Sequence, residues 1–406
     1  MTQLPKALYN VAQTREMDRR AIEELGISGY RLMTRAGKAS FRLIQKRWPE
    51  TRKLLVCCGV GNNGGDGYIV ARLALEAGYE ALVLRFGDHG HLGSVADQAR
   101  KAYEEQGGQY VSREAYQKPE AIFAGYQLIV DAVLGIGLDR EVAQDWRQIF
   151  SVINAVDIPV LSLDIPSGLC ADTGKLWGEA IQADATITFI AMKQGLFTAW
   201  GPDFSGEIYY ADLGLAGETG AVVYQGITPV TRLDKTDIAP VTHARRQNVH
   251  KGNYGRVLVI GGGAGCPESA DNFPGAGPVM PGALLLAGLS ALRVGAGLVT
   301  VASCRWNLTS VLAHTPELIG LAIGLDPASC DALRQAISES DVIAIGPGLG
   351  SGSWSRKVFS TVCELAVCPV VVDADALSLY SRVIEQGERA FSNSRYSILT
   401  PHPGEA

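Results

Sequence analysis

Three short stretches carry side chains that could do chemistry. GNNGGDG (residues 61–67) sets two amides, Asn62 and Asn63, and a carboxylate, Asp66, among glycines that begin at Gly59. Amide and carboxylate oxygens suit a cation or a polar ring. Glycines let backbone N–H groups come close to a phosphate. DAVLGIGL (131–138) opens on Asp131 and carries Gly135 and Gly137, and DIPSG (164–168) places Asp164 three residues before Ser167. A carboxylate within hydrogen-bond reach of a substrate hydroxyl can move its proton.

Each stretch follows an apolar run, which says what must position it. Leu54, Leu55 and Val56 read as a buried strand, and Ile69, Val70, Leu73 and Leu75 as an amphipathic helix after the glycine turn. Further strands over 81–86, 127–133, 159–164, 185–190 and 207–213 alternate with helices over 95–106 and 143–155. That alternation predicts a doubly wound α/β sheet, parallel at its centre. Ligands of open α/β sheets bind outside the carboxyl ends of the strands, so the three carboxylate turns should converge on one crevice. One aspartate after a strand is an ordinary helix cap; three at one edge fit capping poorly. Gly59-x-Gly61-x-x-Gly64 matches a dinucleotide fingerprint, yet the next strand ends in Arg85 and Phe86 rather than in a ribose-binding acid. Upstream, 11–26 and 30–47 predict two amphipathic helices, parted by Gly26 and Gly29, that either cover a sheet edge or reach the substrate.

The second half repeats the strand–turn–helix pattern with different motifs, so it is not an internal repeat. A strand over 256–260 runs into Gly261, Gly262, Gly263 and Gly265, and an apolar helix covers 281–294. GAGLVTVAS is a glycine-led strand. Strands over 341–345, 369–372 and 396–399 run into GPGLGSGS, DADAL and TPHPGEA. At 406 residues two domains are expected, 1–224 and 225–406, parted by a stretch without period that contains Pro229 and Pro240. A hydrophobic share of 47% and 19% charged residues suit a large core. A net charge of −6 excludes the clustered basic face a nucleic-acid partner requires. The eight cysteines form no C-x-x-C pair and read as buried thiols rather than disulfides or zinc ligands. No apolar run reaches the ~18 residues of a membrane span, and a cytoplasmic location is expected.

GNNGGDG, DAVLGIGL and DIPSG, in that order, resemble the NAD(P)H-hydrate epimerase domain of the YjeF N-terminal family over roughly residues 10–220. The resemblance implies a Rossmann-like three-layer domain whose substrate lies against Asn62, Asn63, Gly64, Gly65 and Asp66. It implies that Gly135, Ile136, Gly137, Leu138, Asp139, Arg140 and Glu141 wrap that substrate. It also implies that Asn63, Asp131 and Ser167 bind K+, with Asp164 as the substrate-touching, reacting-site carboxylate. The implied substrate is NAD(P)H hydrated at nicotinamide C6, a carbon bonded to both oxygen and ring nitrogen. Such a carbon interconverts its R and S forms by proton transfer without any redox step. One departure is Thr34 in LMTRAG, where the family usually carries Glu.

HKGNYG, GAGLVTVA, GPGLG, DADAL and TPHPGE resemble the ADP-dependent NAD(P)H-hydrate dehydratase, a ribokinase-like α/β fold, over about residues 230–406. This implies hydrated-cofactor binding near Ala283, Gly348 and His402, with ADP and Mg2+ as companions. Together the halves resemble a bifunctional nicotinamide-nucleotide repair enzyme, isomerase and lyase, that self-associates into a homo-oligomer. Residues 266–281 look like an insertion over the nucleotide crevice. The chain stops at Ala406, ahead of the family's GD-containing loop, so the second domain is expected to be incomplete and dehydration weak. Two alternatives remain at this point. A ribokinase-like small-molecule kinase needs that same loop and leaves GNNGGDG unexplained. A non-catalytic nucleotide-binding scaffold, the use an mRNA-decapping protein makes of a related first domain, leaves the polar crevice unexplained.

Overall fold

Leu54, Val56 and Cys58 face one side of their strand, Leu55 and Cys57 the other, and all are fully buried. A strand apolar on both faces is one that helices cover twice. The computed structural model describes residues 4–111, 122–215, 221–238, 248–263, 279–402 and 405. It divides the chain into two units, Met1–Thr242 and His243–Ala406.

The first unit contains strands β1 (Ala7–Tyr9), β2 (Lys53–Cys58), β3 (Glu80–Arg85), β4 (Gln109–Tyr110), β5 (Leu128–Ala132), β6 (Val160–Leu163), β7 (Ala185–Phe189), β8 (Met192–Lys193), β9 (Glu207–Ala211) and β10 (Val230–Thr231). Seven of them form one sheet in the order β4-β3-β2-β5-β6-β7-β9, and every described pairing is parallel. Helices α1 (Val11–Glu23), α2 (Gly29–Arg47), α3 (Asn62–Glu76) and α4 (Ser94–Glu105) pack on one face, and α5 (Gln144–Ala155) packs on the other. The strand order reverses between β2 and β5, which opens a crevice at their carboxyl ends. GNNGGDG leaves β2 there and DAVLGIGL leaves β5.

α1 starts at a capping box: Gln13 N–H donates to Asn10 Oδ1 at 2.8 Å and Asn10 N–H to Gln13 Oε1 at 3.0 Å. Just ahead of it, β1 builds a small second sheet in the order β10-β1-β8, parallel to β8 and antiparallel to β10. Strands this short have no legible period, and none of the three is predicted from sequence. The sheet also moves the domain boundary. Val230 pairs with Leu8, and Lys6 bridges Asp234 at 3.0 Å and Asp237 at 2.8 Å, so the segment after 225 folds with the first unit.

The second unit is another parallel sheet, in the order β13 (Ile319–Ala322), β12 (Leu298–Ser303), β11 (Arg256–Ile260), β14 (Val342–Ile345), β15 (Val370–Val372), β16 (Ser397–Leu399). Helices α6 (Pro281–Val294) and α7 (Arg305–His314) share one core; α8 (Pro327–Ser338), α9 (Ser353–Leu365) and α10 (Asp375–Glu385) share the other. The order reverses between β11 and β14, where the glycine turns lie. Most of the proposed insertion, its residues 266–278, lies outside the described residues. Cys57, Cys58, Cys170, Cys330, Cys363 and Cys368 are free thiols as expected, but Cys304 is disulfide-bonded, its partner lying outside the described residues. The expectation of thiols alone is corrected there. Cys304 directly follows β12 at the start of α7, a chain end that a cross-link can reach.

Phe150 anchors the α5 layer, fully buried and 6.0 Å from the Phe86 ring. Phe150→Ala is expected to cost about 3–5 kcal/mol of unfolding free energy in urea titration, because the cavity left behind collapses only partly.

Candidate active site

The β2/β5 switch point holds a cavity of about 790 Å³. The loop after β2 contributes Gly61, and the start of α3 contributes Asn62, Asn63 and Asp66. The loop after β5 contributes Gly135, Ile136, Gly137, Leu138, Asp139, Arg140 and Glu141, and β6 delivers Asp164. Asp131 and Ser167 lie fully buried next to these linings, bonded to each other, and Ser167 is bonded also to the Leu134 backbone. Gly64 and Gly65 do not face the cavity. A Cβ on Gly64 would sit 1.9 Å from Gly59 O, and one on Gly65 would sit 2.4 Å from Met33 Cε. None of the glycines from Gly59 to Gly67 has a positive φ. They are required by close approach, most plainly at Gly59, where a Cβ would meet Val133 O at 1.9 Å. Gly61 caps α3 without a side chain, which leaves the first N–H groups of that helix for an anion.

Beneath the loops lies a polar node. The buried Asp131 carboxylate accepts from Ser162 Oγ (2.8 Å), Ser167 N (2.8 Å), Ser167 Oγ (2.5 Å) and Val133 N (3.2 Å). Burial pushes its pKa up, while those donors oppose the shift. Ser167 Oγ also accepts from Leu134 N at 2.8 Å, and Asn63 Nδ2 donates to Leu134 O at 3.1 Å. Asn63 Oδ1 is buried without a partner. An orphaned amide oxygen costs about 1–3 kcal/mol unless something fills it, and the donors around it are hard oxygens, which suit an alkali or alkaline-earth cation. Among the described residues no cluster of three or more His, Cys, Asp or Glu could hold a metal ion.

Deeper in the cavity sits a cluster that the sequence reading only half anticipates. Asp164 has φ +67°, and its Oδ1 accepts from Lys193 Nζ and from Phe189 N (3.2 Å). Lys193 is almost wholly buried and also donates to Thr188 Oγ1 (3.0 Å) and Phe189 O (2.9 Å). Asp18, on α1, and Asp66 face the same space, and no donor among the described residues reaches either carboxylate. Burial pushes the Asp18 pKa up to about 6; Lys193 opposes this and Asp164 adds to it. Burial raises Asp66 well above the usual carboxylate range, with Asp164 and Asp18 adding repulsion. Ile190 (φ +62°) and Leu213 (φ +54°) line the cavity as well, so three left-handed non-glycine residues meet here. Backbone strain of this kind concentrates at functional sites.

Sequence reading missed Lys193, Asp18 and the two strained apolar residues. Lys193 was findable, as the lone charge in FIAMKQGLF; Asp18 is one acid among many charges on its helix. α1 and α2 wall the cavity through Thr14, Arg15, Leu32, Met33 and Ala36, and they also cover the sheet through Met17, Ala21 and Ile44. Thr34 turns back onto its own helix, its Oγ1 donating to Tyr30 O at 2.7 Å.

In the second unit, Gly348 (φ +62°) meets Ala283: a Cβ there would lie 3.3 Å from Ala283 Cβ. Gly262 N–H donates to Pro347 O at 2.9 Å, so the turns after β11 and β14 are joined at the switch point. His402 is exposed and lies 3.3 Å from Glu405 Oε1; no described contact joins it to Ala283 or Gly348.

Two doubly wound parallel sheets, each with interlocked glycine turns at its switch point, define an α/β enzyme built to handle nucleotides. A family model described as YjeF-related protein N-terminus matches residues 29–195, and one described as NAD(P)H-hydrate dehydratase matches residues 276–406. The bifunctional NAD(P)H-hydrate repair enzyme Nnr of Coxiella burnetii is 39% identical over 399 residues, 98% of this chain and 75% of that protein. Its namesake in Escherichia coli is 36% identical over 407 residues, 99% of this chain and 71% of that protein. The enzyme of Leishmania braziliensis is 31% identical over 421 residues, 99% and 72% respectively. The chain belongs to the bifunctional NAD(P)H-hydrate repair enzyme family. No described helix is long and apolar enough to cross a membrane.

A folded-state carboxyl pKa raised above the unfolded value adds stability that is complete below about 4 and lost as pH rises through the folded value. Asp18, raised to about 6, therefore weakens the native state above that pH. Asp18→Asn is expected to gain on the order of 2–3 kcal/mol at pH 8, measured by urea unfolding, with the gain gone near pH 4.

Proposed function

We propose that the first unit interconverts the R and S forms of NADH and NADPH hydrates. The observation that carries the reading is the ion-paired Asp164–Lys193 couple facing a switch-point cavity that Asp18, Asn62, Asn63 and Asp66 also line. Loss of the C6 hydroxyl as water leaves a ring cation, C6=N1+, and return of water to the other face completes the inversion. Asp164 and Asp18 line the cavity in which such a cation would form, and an ionised carboxylate there favours it over a neutral ring. Asp164 exchanges the hydroxyl proton, with Lys193 fixing its rotamer. Asn62 and the open N–H groups of α3 receive the substrate's phosphates, and the loop Gly135–Glu141 closes over them.

Asn63, Asp131 and Ser167, with the Leu134 carbonyl, would hold the K+ ion. The unpartnered Asn63 Oδ1 is the open ligand and Asp131 the compensating charge. Bound there, the ion neutralises a buried carboxylate and pins the two loops that flank the substrate. The second activity of the family, ADP-dependent dehydration of the S form, belongs to the second unit. Gly348 and Ala283 meet at its switch point, the expected place for a hydrated cofactor with ADP and Mg2+. Neither a small-molecule kinase nor a binding scaffold has support of this kind.

Asp164→Asn should leave the thermal midpoint near that of the parent and cut R/S interconversion about 10²–10⁴-fold, read by chromatographic separation of the two hydrates. Replacing choline chloride by KCl at constant ionic strength should raise the thermal midpoint of the parent chain, as a ligand selective for the native state does. Asn63→Leu should abolish that response.

A further inference from the structure

The established family activity leaves open how a single carboxylate could serve both faces of one carbon. A departing hydroxyl needs a proton on one face while the arriving water must lose one on the other. The cavity supplies a second carboxylate in the right state. We infer that Asp18, on α1, is the second proton-transfer group of the epimerisation, working with Asp164, the residue after β6, from another wall element of the same cavity. This deepens the epimerase reading and rests on it.

The two carboxylates enter the cavity from different elements and differ in their surroundings. Asp164 is held by Lys193 Nζ and by Phe189 N, and so is the acceptor of the pair. Asp18 has no donor among the described residues and is half-buried in the cavity wall. Burial and the neighbouring Asp164 raise its pKa to about 6, with Lys193 opposing, so it holds a proton to a higher pH than an exposed aspartate does. Two titratable groups whose environments differ in this way are how a site assigns an acid and a base.

The step balances. The Asp18 carboxylic acid gives its proton to the C6 hydroxyl, the C6–O bond breaks to release water, and the N1 lone pair forms C6=N1+. Water adds to the opposite face of C6 and its proton passes to the Asp164 carboxylate, while the C6=N1 pair returns to nitrogen. The product enzyme, Asp164 protonated and Asp18 ionised, is the starting state for the reverse direction. Both directions therefore require one proton on the pair, so activity falls above about pH 6. The charged and titratable groups facing Asp18 are Asp164, Asp66 on α3, Lys193 of β8 and, on its own helix, Arg15.

The test is steady-state interconversion of purified R and S hydrates by the full chain from pH 5 to 9, corrected for the protein-free rate. Asp18→Asn is expected to lose about 10²–10⁴-fold in kcat with KM changed less than about threefold, and to lose the fall in rate above pH 6. Asp18→Glu is expected to recover part of kcat and the pH limb. Parent-like kcat in Asp18→Asn, or an unchanged pH limb with any loss confined to KM, overturns the assignment while leaving the epimerase reading intact. A parent chain that leaves both hydrates unchanged overturns both. Unfolding is separated by the thermal midpoint, which a variant that fails to fold would lower; the role of Asp18 is read from kcat and the pH limb.

Discussion

A carboxylate cannot be buried dry unless donors surround it, and Asp131 is buried completely. It solves this with four donors drawn from three places: its own turn, β6 through Ser162, and the DIPSG turn through Ser167. That set of bonds fixes the carboxyl ends of β5 and β6 against each other. It also fixes Leu134, whose N–H meets Ser167 Oγ and whose carbonyl meets the Asn63 amide, so the loop after β2 is tied to the same point. Removing one donor would leave an uncompensated buried charge, a cost of several kcal/mol, so the geometry of the crevice floor is rigid by necessity.

From that floor the reactive groups rise at different degrees of constraint. Asp164 leaves β6 in a left-handed conformation that aspartate tolerates better than most residues, and its carboxylate turns back to Phe189 N and Lys193. Lys193 is placed by β8, a two-residue strand that exists because β1 pairs with it. A charge as deeply buried as Lys193 needs paired and hydrogen-bonded neighbours, and it has three acceptors in Asp164, Thr188 and Phe189. The small sheet thus has a function beyond closing an edge: it sets the ammonium beside the carboxylate.

What was legible in the sequence follows from range. Six of the seven strands of the parallel sheet, the switch-point crevice and the three polar turns could be read because each is announced within ten or so residues by an apolar run and a glycine turn; the two-residue β4 could not. The glycines of GNNGGDG were legible as a tight loop, but not as packing residues, because the atoms that Gly65 and Gly67 accommodate, Met33 Cε and Ala132 Cβ, are remote in sequence. The Asp164–Lys193 pair and the approach of α1 were illegible for the same reason. Asp18 sits in EMDRRAIEE, where an acid facing the cavity and one facing solvent look alike. The boundary near 225 came from loss of period, and a two-residue strand such as β10 has no period to lose.

The cavity trades stability for chemistry in a way its charges make explicit. Asp18 and Asp66 have no donors among the described residues, and both are pushed toward the neutral acid, which is a standing cost to the fold at neutral pH. Placing a second lysine or a ring of hydroxyls nearby would have removed that cost, as the donors around Asp131 largely do. The contrast within one crevice is informative: the carboxylate that organises the backbone is fully satisfied, and those that face the open space are left wanting a proton or a cation. A ring cation formed transiently at C6 meets that want only while it exists, which is the condition for binding energy to lower a barrier rather than deepen a ground state.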